Sequence, residues 1–386
     1  MKWSLLGRLL ALLPAVGCAD ESSSSDTAGR TGLLGECTGF TATKERIVGV
    51  SGGSATTCAA WSDGTAWCWG ASGVGELGYP GGLSVDSPGQ VGVPPCVNGV
   101  SAGGLHGCAW MRDGTAYCWG DNLFGALGNP DAGGPTPARV VGLGTAMEVM
   151  ARSDDSGALL VDGTVMQWGH EAASGKHALV PVKIDVAPAT AFAVGNGHAC
   201  AVVAGEVWCW GRNWAGELGF MVSGSPLDQY PPAVVVGVTG AIGVAVGYEF
   251  SCALLGNGQV WCWGRNDLGQ LGNGSQTDSS VPVQVTGVAT GIEVFAIDER
   301  ACSLMSDGSV SCWGDFVDDP LQPIPAQIAG VHNVTHVALG DSHTCVVEGD
   351  ASMLCWGINT YGQLGLGEAA AMFVAAPTPV VWPFEE

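Results

Sequence analysis

The dipeptide Trp-Gly occurs seven times, at Trp69-Gly70, Trp119-Gly120, Trp168-Gly169, Trp210-Gly211, Trp263-Gly264, Trp313-Gly314 and Trp356-Gly357, with 42 to 53 residues between successive copies. A period of that size constrains the fold before any other feature does. Each unit is one supersecondary piece that cannot bury its apolar face alone and must stack on its neighbours. The length suits about four short strands, as in a propeller blade. The chain has 62 glycines, and glycine is depleted from strand and helix interiors, so that number argues for many turns.

Two further landmarks keep phase with Trp-Gly. Before it stand two short β-prone runs separated by a tight turn, at Asp63-Gly64, Asp113-Gly114, Asp162-Gly163, Asn257-Gly258 and Asp307-Gly308. Asp-Gly or Asn-Gly between such runs signals a hairpin. After it come proline, two residues and an apolar residue: Pro88 with Val91, Pro137 with Val140, Pro181 with Ile184, Pro232 with Val235, Pro282 with Val285, Pro325 with Ile328 and Pro379 with Trp382. Proline is tolerated in an edge strand, so this segment reads as each blade's outer strand. The first hairpin (Thr57 to Trp69) has no such segment before it, while the last Trp-Gly is followed by Pro379 to Trp382 at the chain end. The expectation is an all-β, seven-bladed propeller in which this C-terminal strand completes the N-terminal blade, removing open edges.

Five repeats continue as Trp-Gly-x-x-x-x-Gly-x-Leu-Gly: Trp69 to Gly78, Trp119 to Gly128, Trp210 to Gly219, Trp263 to Gly272 and Trp356 to Gly365. With the hairpin before and the proline after, this resembles the repeat of the regulator-of-chromosome-condensation family of seven-bladed propellers, from about residue 44 to the end. Repeats three and six depart from it, reading Trp168-Gly169-His170-Glu171 and Trp313-Gly314-Asp315-Phe316, and their loops should be irregular. The family's founder is a nuclear guanine-nucleotide exchange factor that binds chromatin. Neither role suits a chain that is acidic (13 Lys and Arg against 36 Asp and Glu) and opens on the export signal described below, so an exchange-factor function is the least favoured reading.

Of 15 cysteines, twelve fall in pairs flanking the hairpin turns: Cys58 with Cys68, Cys108 with Cys118, Cys200 with Cys209, Cys252 with Cys262, Cys302 with Cys312 and Cys345 with Cys355. A three-residue loop centred on Asp63, with Gly64 left-handed, sets Trp61 opposite Thr65 and Cys58 opposite Cys68 on a non-hydrogen-bonded pair. Such pairs have Cα atoms about 4.5 Å apart, within disulfide range. In the fourth repeat the cysteines are one residue closer and the turn, at Ala204-Gly205, is one residue shorter. The register therefore survives. The third repeat has Gly157 and Gln167 in the two places. Zinc commonly takes four ligands with shorter spacers, so cross-strand disulfides are the preferred reading, with buried free thiols as the alternative. Cys37 and Cys96 remain, and a bond between them would pin the tether to the first blade.

Residues 1–17 follow the plan of a secretory signal: Lys2 and Arg8, an apolar run from Leu9 to Leu13, and a small-residue exit. The exit Ala15-Val16-Gly17-Cys18 resembles the lipobox of bacterial lipoproteins, with Ala15 in place of the usual leucine, and marks Cys18 as the lipidated residue. Ordinary cleavage nearby, releasing a soluble protein, is the alternative. Residues 18–43 then form a polar tether and residues 44–386 the propeller. The expected location is a bacterial membrane, facing the periplasm or the cell surface.

The net charge is −23, from 13 Lys and Arg against 36 Asp and Glu. Nucleic-acid binding needs clustered cations to replace phosphate counterions, and none are clustered here. An acidic surface attracts cationic partners, although acidity can simply keep an apolar, Gly-rich chain soluble. His106, His198 and His343 each lie two residues before a hairpin cysteine, where other repeats hold Thr56, Phe250 and Arg300. Repeats two, four and seven are not neighbours, so packing is preferred over a metal ring. No nucleophile elbow, phosphate loop or calcium loop is present. Carboxylates such as Asp315 to Asp319 have no spacing that sets two at a working distance. No catalytic residue, cofactor or metal is assigned. A rigid ring of loops suits recognition of a protein partner; a glycan-binding or glycan-processing propeller, using exposed tryptophans such as Trp214, is the second reading.

Overall fold

A computed structural model of the chain describes residues 46–170, 177–220, 229–316, 319–349, 351–368 and 370–384. Among them are 28 strands in seven four-stranded sheets, each an antiparallel meander of consecutive strands. This is the seven-bladed all-β propeller that the repeat implies. In blade one the strands are Ile47–Gly52, Thr56–Trp61, Ala66–Ala71 and Ser84–Gln90. The second and third strands of this blade are almost wholly buried, whereas the fourth is largely half-exposed. That gradient runs from Trp and Cys in the middle strands to Pro-bearing edges. No described helix is long and apolar enough to cross a membrane.

The hairpins take the expected form. Gly64 N–H donates to Trp61 O and Trp61 N–H to Thr65 O, with Gly64 at φ 80°. The cysteine register follows from these turns. Cys58 faces Cys68, Cys108 faces Cys118 and Cys200 faces Cys209 in blades one, two and four. Cys252 faces Cys262, Cys302 faces Cys312 and Cys345 faces Cys355 in blades five, six and seven. All six pairs stand at disulfide distance, with Cα separations of 4.0 to 4.1 Å. The shorter turn of blade four keeps Cys200 opposite Cys209 despite a sequence separation of 9 where the other pairs have 10. Gly157 faces Gln167 in blade three. Cys96 is itself disulfide-bonded, while Cys37 and Cys18 lie outside the described residues.

Each turn glycine also joins its blade to the next. The carbonyls of Gly64, Gly114, Gly163, Gly205, Gly258 and Gly308 accept from Val97, Ala146, Ala189, Ala241, Gly291 and Val334, at or beside the starts of the following blades, at 2.8 to 3.0 Å. At the other end, the Gly-x-Leu-Gly loop of one blade receives the tryptophan of the next. Trp119, Trp168, Trp263 and Trp313 donate from Nε1 to the carbonyls of Glu76, Ala126, Glu217 and Gln270 at 2.8 to 2.9 Å. The last glycine of that loop is required. Gly128 has φ 62°, and a Cβ there would lie 2.8 Å from both Trp168 and Val140.

Ring closure differs from the expectation of an exchanged strand. Blade one already holds four strands of its own, so it has no vacancy for another. The last strand, Phe373–Pro379, pairs with Ser352–Ile358 of blade seven. Val380 N–H donates to Met353 O as Val91 N–H donates to Ala66 O, so Val380, not Trp382, is the equivalent of Val91. The ring closes by the contact used at the regular seams. Trp69 Nε1 donates to Gln363 O at 3.0 Å, and Gly365 packs under Trp69 and Val380. Trp382 then adds an edge-on contact to Trp61 at 4.8 Å.

The two irregular blades replace the missing loop differently. In blade three Gln167 Oε1 accepts from Trp210 Nε1 at 3.0 Å, and Phe192 stacks on Trp210 with rings 6.0 Å apart and 4° from parallel. Phe192 occupies the space that a Cβ on Gly157 would need. In blade six Phe316 fills the core beside Trp356. Both irregular loops lie partly outside the described residues: residues 171–176 in blade three and 317–318 in blade six.

Candidate binding face

In each blade the turn between strands one and two and the loop between strands three and four lie at the same end. One face of the ring therefore carries the loops after Trp-Gly, and the other carries the tight hairpin turns and the links between blades. At the centre of the loop face the residues two places before the histidine position are Ser54, Gly104, Ser153, Asn196, Tyr248, Asp298 and Asp341. Backbone bonds lace several of these turns together: Ser54 N–H to Gly103 O, Gly104 N–H to Ser153 O, Tyr248 N–H to Asp298 O and Asp341 N–H to Gly53 O, at 2.7 to 3.2 Å.

Within this mouth lies a cavity of about 220 Å³, lined by Arg152 and Ser153, Asn196, Tyr248, Asp298 with Glu299, and Asp341. Ser153, Glu249 and Asp298 hold left-handed φ values of 43°, 58° and 44°, which cost about 1 kcal/mol or more per non-glycine residue. Arg152 reaches across the ring from blade three, and its Nη2 donates to Ala296 O of blade six at 3.1 Å. Burial pulls its pKa down, against the attraction of Asp341 and Asp298. Arg265 is shared by Asp267 at 2.7 Å, Glu299 at 3.1 Å and Glu249 at 3.8 Å. Burial, then Asp341 and Glu299, push Asp298 up to about 6. The side chains of Asp298 and Asp341 make no hydrogen bond or ion pair among the described residues.

Apolar and aromatic side chains stand exposed on the same face. Leu83, Leu123, Trp214, Tyr361 and Met372 are all exposed on the long loops. Arg212 lies over the Trp214 ring at 4.8 Å. The mouth residues carry no motif, but the repeat register itself could have found them, because each sits two residues before a position already marked by histidine.

The three histidines are buried and sit at blade junctions. Nε2 of His106, His198 and His343 meets the hydroxyls of Ser156, Ser251 and Thr57 in the following blade at 2.8 to 2.9 Å. Burial lowers their pKa values to about 4, 3 and 3, so they are neutral at ordinary pH. Among the described residues no three His, Cys, Asp or Glu stand together as metal ligands.

Models of one known repeat family match parts of this pattern. The regulator of chromosome condensation (RCC1) repeat matches residues 97–126, 241–270, 334–363 and 257–297, and the first three windows each open on a blade's first strand. The chain carries RCC1 repeats. Its fold is similar to that of Prp20p from Saccharomyces cerevisiae, whose structure was determined with its binding properties to Gsp1p and histones (TM-score 0.74, 20% identity, 88% of this chain and 87% of that one). Human WBSCR16 is similar at TM-score 0.72 and 19% identity, over 83% and 94% of the two chains. The ectodomain of the Arabidopsis thaliana receptor kinase ACR4 is similar at TM-score 0.50 and 19% identity, over 86% and 99%. At these identities the likeness is one of fold. The ring thus carries cysteine pairs at disulfide distance in six blades and a charged mouth on its loop face.

Proposed function

We propose that this chain is an exported, lipid-anchored binding protein that presents the loop face of its RCC1-repeat ring to a protein partner and receives basic side chains at the channel mouth. The observation that carries this is the contrast between faces. The loop face combines exposed Leu123, Trp214, Tyr361 and Met372 with the carboxylates of Asp298 and Asp341 around a cavity, whereas the other face, made of tight turns and blade-to-blade links, exposes scattered aliphatic residues such as Val141, Val161 and Val236. Exposed apolar groups around a polar centre mark interaction surfaces, and carboxylates that make no hydrogen bond of their own favour a cationic partner. The yeast relative binds proteins, as a structure of Kap60 bound to yeast RCC1 (Prp20) illustrates. Six cysteine pairs at disulfide distance suit an oxidising compartment. The glycan reading has less support, because Arg212 already covers one face of Trp214.

Two measurements test this. The intact mass of protein purified from membranes, before and after reduction and alkylation, should show a diacylglyceryl adduct on Cys18. Peptide mapping of the same sample should find Cys58, Cys68, Cys108, Cys118, Cys200, Cys209, Cys252, Cys262, Cys302, Cys312, Cys345 and Cys355 blocked until reduced. A photo-crosslinking residue at Leu123 or Trp214 should capture a protein in the cells that make the chain, while one at Val161 on the turn face should not. Capture only from Val161 would reverse the face, and a glycan-array hit without protein capture would favour the second reading.

A further inference from the structure

The seven blade junctions are not alike. At the histidine position the blades read Thr56, His106, Asp155, His198, Phe250, Arg300 and His343. At the next residue they read Thr57, Gly107, Ser156, Ala199, Ser251, Ala301 and Thr344. Wherever a blade has histidine, its successor has a hydroxyl. That holds for junctions two/three, four/five and seven/one. The other hydroxyl at this place, Thr344, follows Arg300, which spans its junction directly by donating to Gly340 O and His343 O.

Each histidine junction is a four-member network. The hydroxyls of Ser156, Ser251 and Thr57 donate to the carbonyls of Ala126, Glu217 and Gln363 at 2.7 to 2.9 Å. The same carbonyls accept the indole N–H of Trp168, Trp263 and Trp69. Since the hydroxyl hydrogen is committed to the carbonyl, the imidazole must donate through Nε2–H, and Nδ1 carries no proton. The rings of His106 and His343 press on glycine backbone: a Cβ on Gly103 or Gly340 would stand 2.8 or 2.4 Å from the respective Nδ1. His343 Nδ1 has no hydrogen-bond partner. A proton added at Nδ1 therefore creates a buried cation, which is expensive without a counter-charge.

We propose that the ring is built to loosen in acid at three defined seams, two/three, four/five and seven/one, leaving blocks of blades one–two, three–four and five–seven. The charged surroundings differ but give no seam a close counter-ion. Asp121 acts on His106 and favours its protonation, without overcoming burial. Arg300 opposes protonation of His343. Around His198 stand Val246, Phe250 and Ser251, with Arg212 over the adjoining Gly197; the Glu217 carboxylate is turned to the N–H groups of Trp214 and Ala215. Opening a seam exposes the imidazole to water, where it protonates near pH 6.5. Proton linkage then favours the open state progressively as pH falls from about 6.5 towards the buried values. The disulfide-stapled hairpins are untouched by this, so the blades persist while the seams part.

The turn-face amides that cross the junctions report on this directly. Ala146 and Ala241 span seams two/three and four/five, and Asp341 spans seven/one at the mouth; Ala189, Gly291 and Val334 span three/four, five/six and six/seven. Hydrogen exchange of the oxidised protein at pH 6.5 and 4.5, corrected for intrinsic rates, should show opening at Ala146, Ala241 and Asp341 rising by about fifty-fold relative to the other three. The double variant His198→Phe/Ser251→Ala copies the pairing of Phe250 with Ala301 at junction five/six. It should remove the acid response of Ala241 and leave that of Ala146. A uniform change at all six amides in the wild type overturns the proposal without recourse to any variant. So does an acid response of Ala241 that survives in a folded double variant.

Discussion

Blade three lacks the cysteine pair that its six counterparts hold at disulfide distance, and supplying one by Gly157→Cys with Gln167→Cys looks like a simple repair. The structure predicts the opposite. Closing so short a loop should contribute about 3 kcal/mol on chain-entropy grounds. Against this, Gln167 is the acceptor for Trp210 Nε1, and a buried indole N–H left without a partner costs about 1–3 kcal/mol. A Cβ on Gly157 would also stand 2.4 Å from Phe192, and forcing such an overlap in a packed core costs about 1–3 kcal/mol more. The losses match or exceed the gain, so the oxidised double variant should melt no higher than wild type and its reduced form several degrees lower. Phe192 stands where other blades have Val50, Val100 or Val244. Adding Phe192→Val should therefore recover the steric part of the loss but not the hydrogen-bond part. Calorimetry of the oxidised and reduced forms decides the matter. An oxidised double variant about 3 kcal/mol more stable than wild type would show that Gly157, Gln167 and Phe192 are not a compensated set.

Two other perturbations follow from buried or strained positions. Burial and the nearby Glu293 push Glu148 up to about 7; an acid with a raised folded pKa destabilises once ionised, so Glu148→Gln should stabilise the ring at pH 8 and be neutral near pH 4.5, as read by thermal unfolding at both values. Gly128→Ala combines a left-handed backbone with overlap on Trp168 and Val140 and should cost about 3 kcal/mol, whereas Gly133→Ala, with nothing within 4 Å, should fall within about 0.5 kcal/mol of wild type.

The blades, their number and the hairpin register were legible because each depends on local chemistry repeated along the chain: an Asp-Gly turn, a cysteine on each strand, a tryptophan before the loop. What is not repeated was harder to read. The mouth is assembled from Arg152, Asn196, Tyr248, Asp298 and Asp341 on five different blades; the repeat register gives their places, but their identities do not repeat, so no motif marks them as a set. The substitute for the missing loop in blade three is a side chain, Gln167, in a cysteine's place, and it is recognisable only once Trp210 is seen to need an acceptor. The histidines illustrate the middle case. Their position was plain in sequence, but their partners lie 50 or more residues away in the next blade.

Closure of the ring shows how a repeat can finish without an exchanged strand. The seam between blades seven and one must carry whatever load a covalently continuous junction carries elsewhere, and it has extra material to do so. Trp382 is buried between Trp61 at 4.8 Å and Trp69 at 5.6 Å, with Phe384 packed on it at 5.6 Å. The other six seams gain from chain connectivity, which limits how far neighbours can separate; the closing seam gains from this aromatic cluster instead. Trp382→Ala should accordingly cost about 3–5 kcal/mol, and the loss should be local. The Asp341 amide, which bridges to Gly53, should exchange faster, while Ala189 and Gly291 at distant seams keep their protection. If Trp382→Ala instead lowered protection evenly around the ring, the last-to-first seam would be no weaker a point than any other, and the aromatic cluster would be ordinary core, not a clasp.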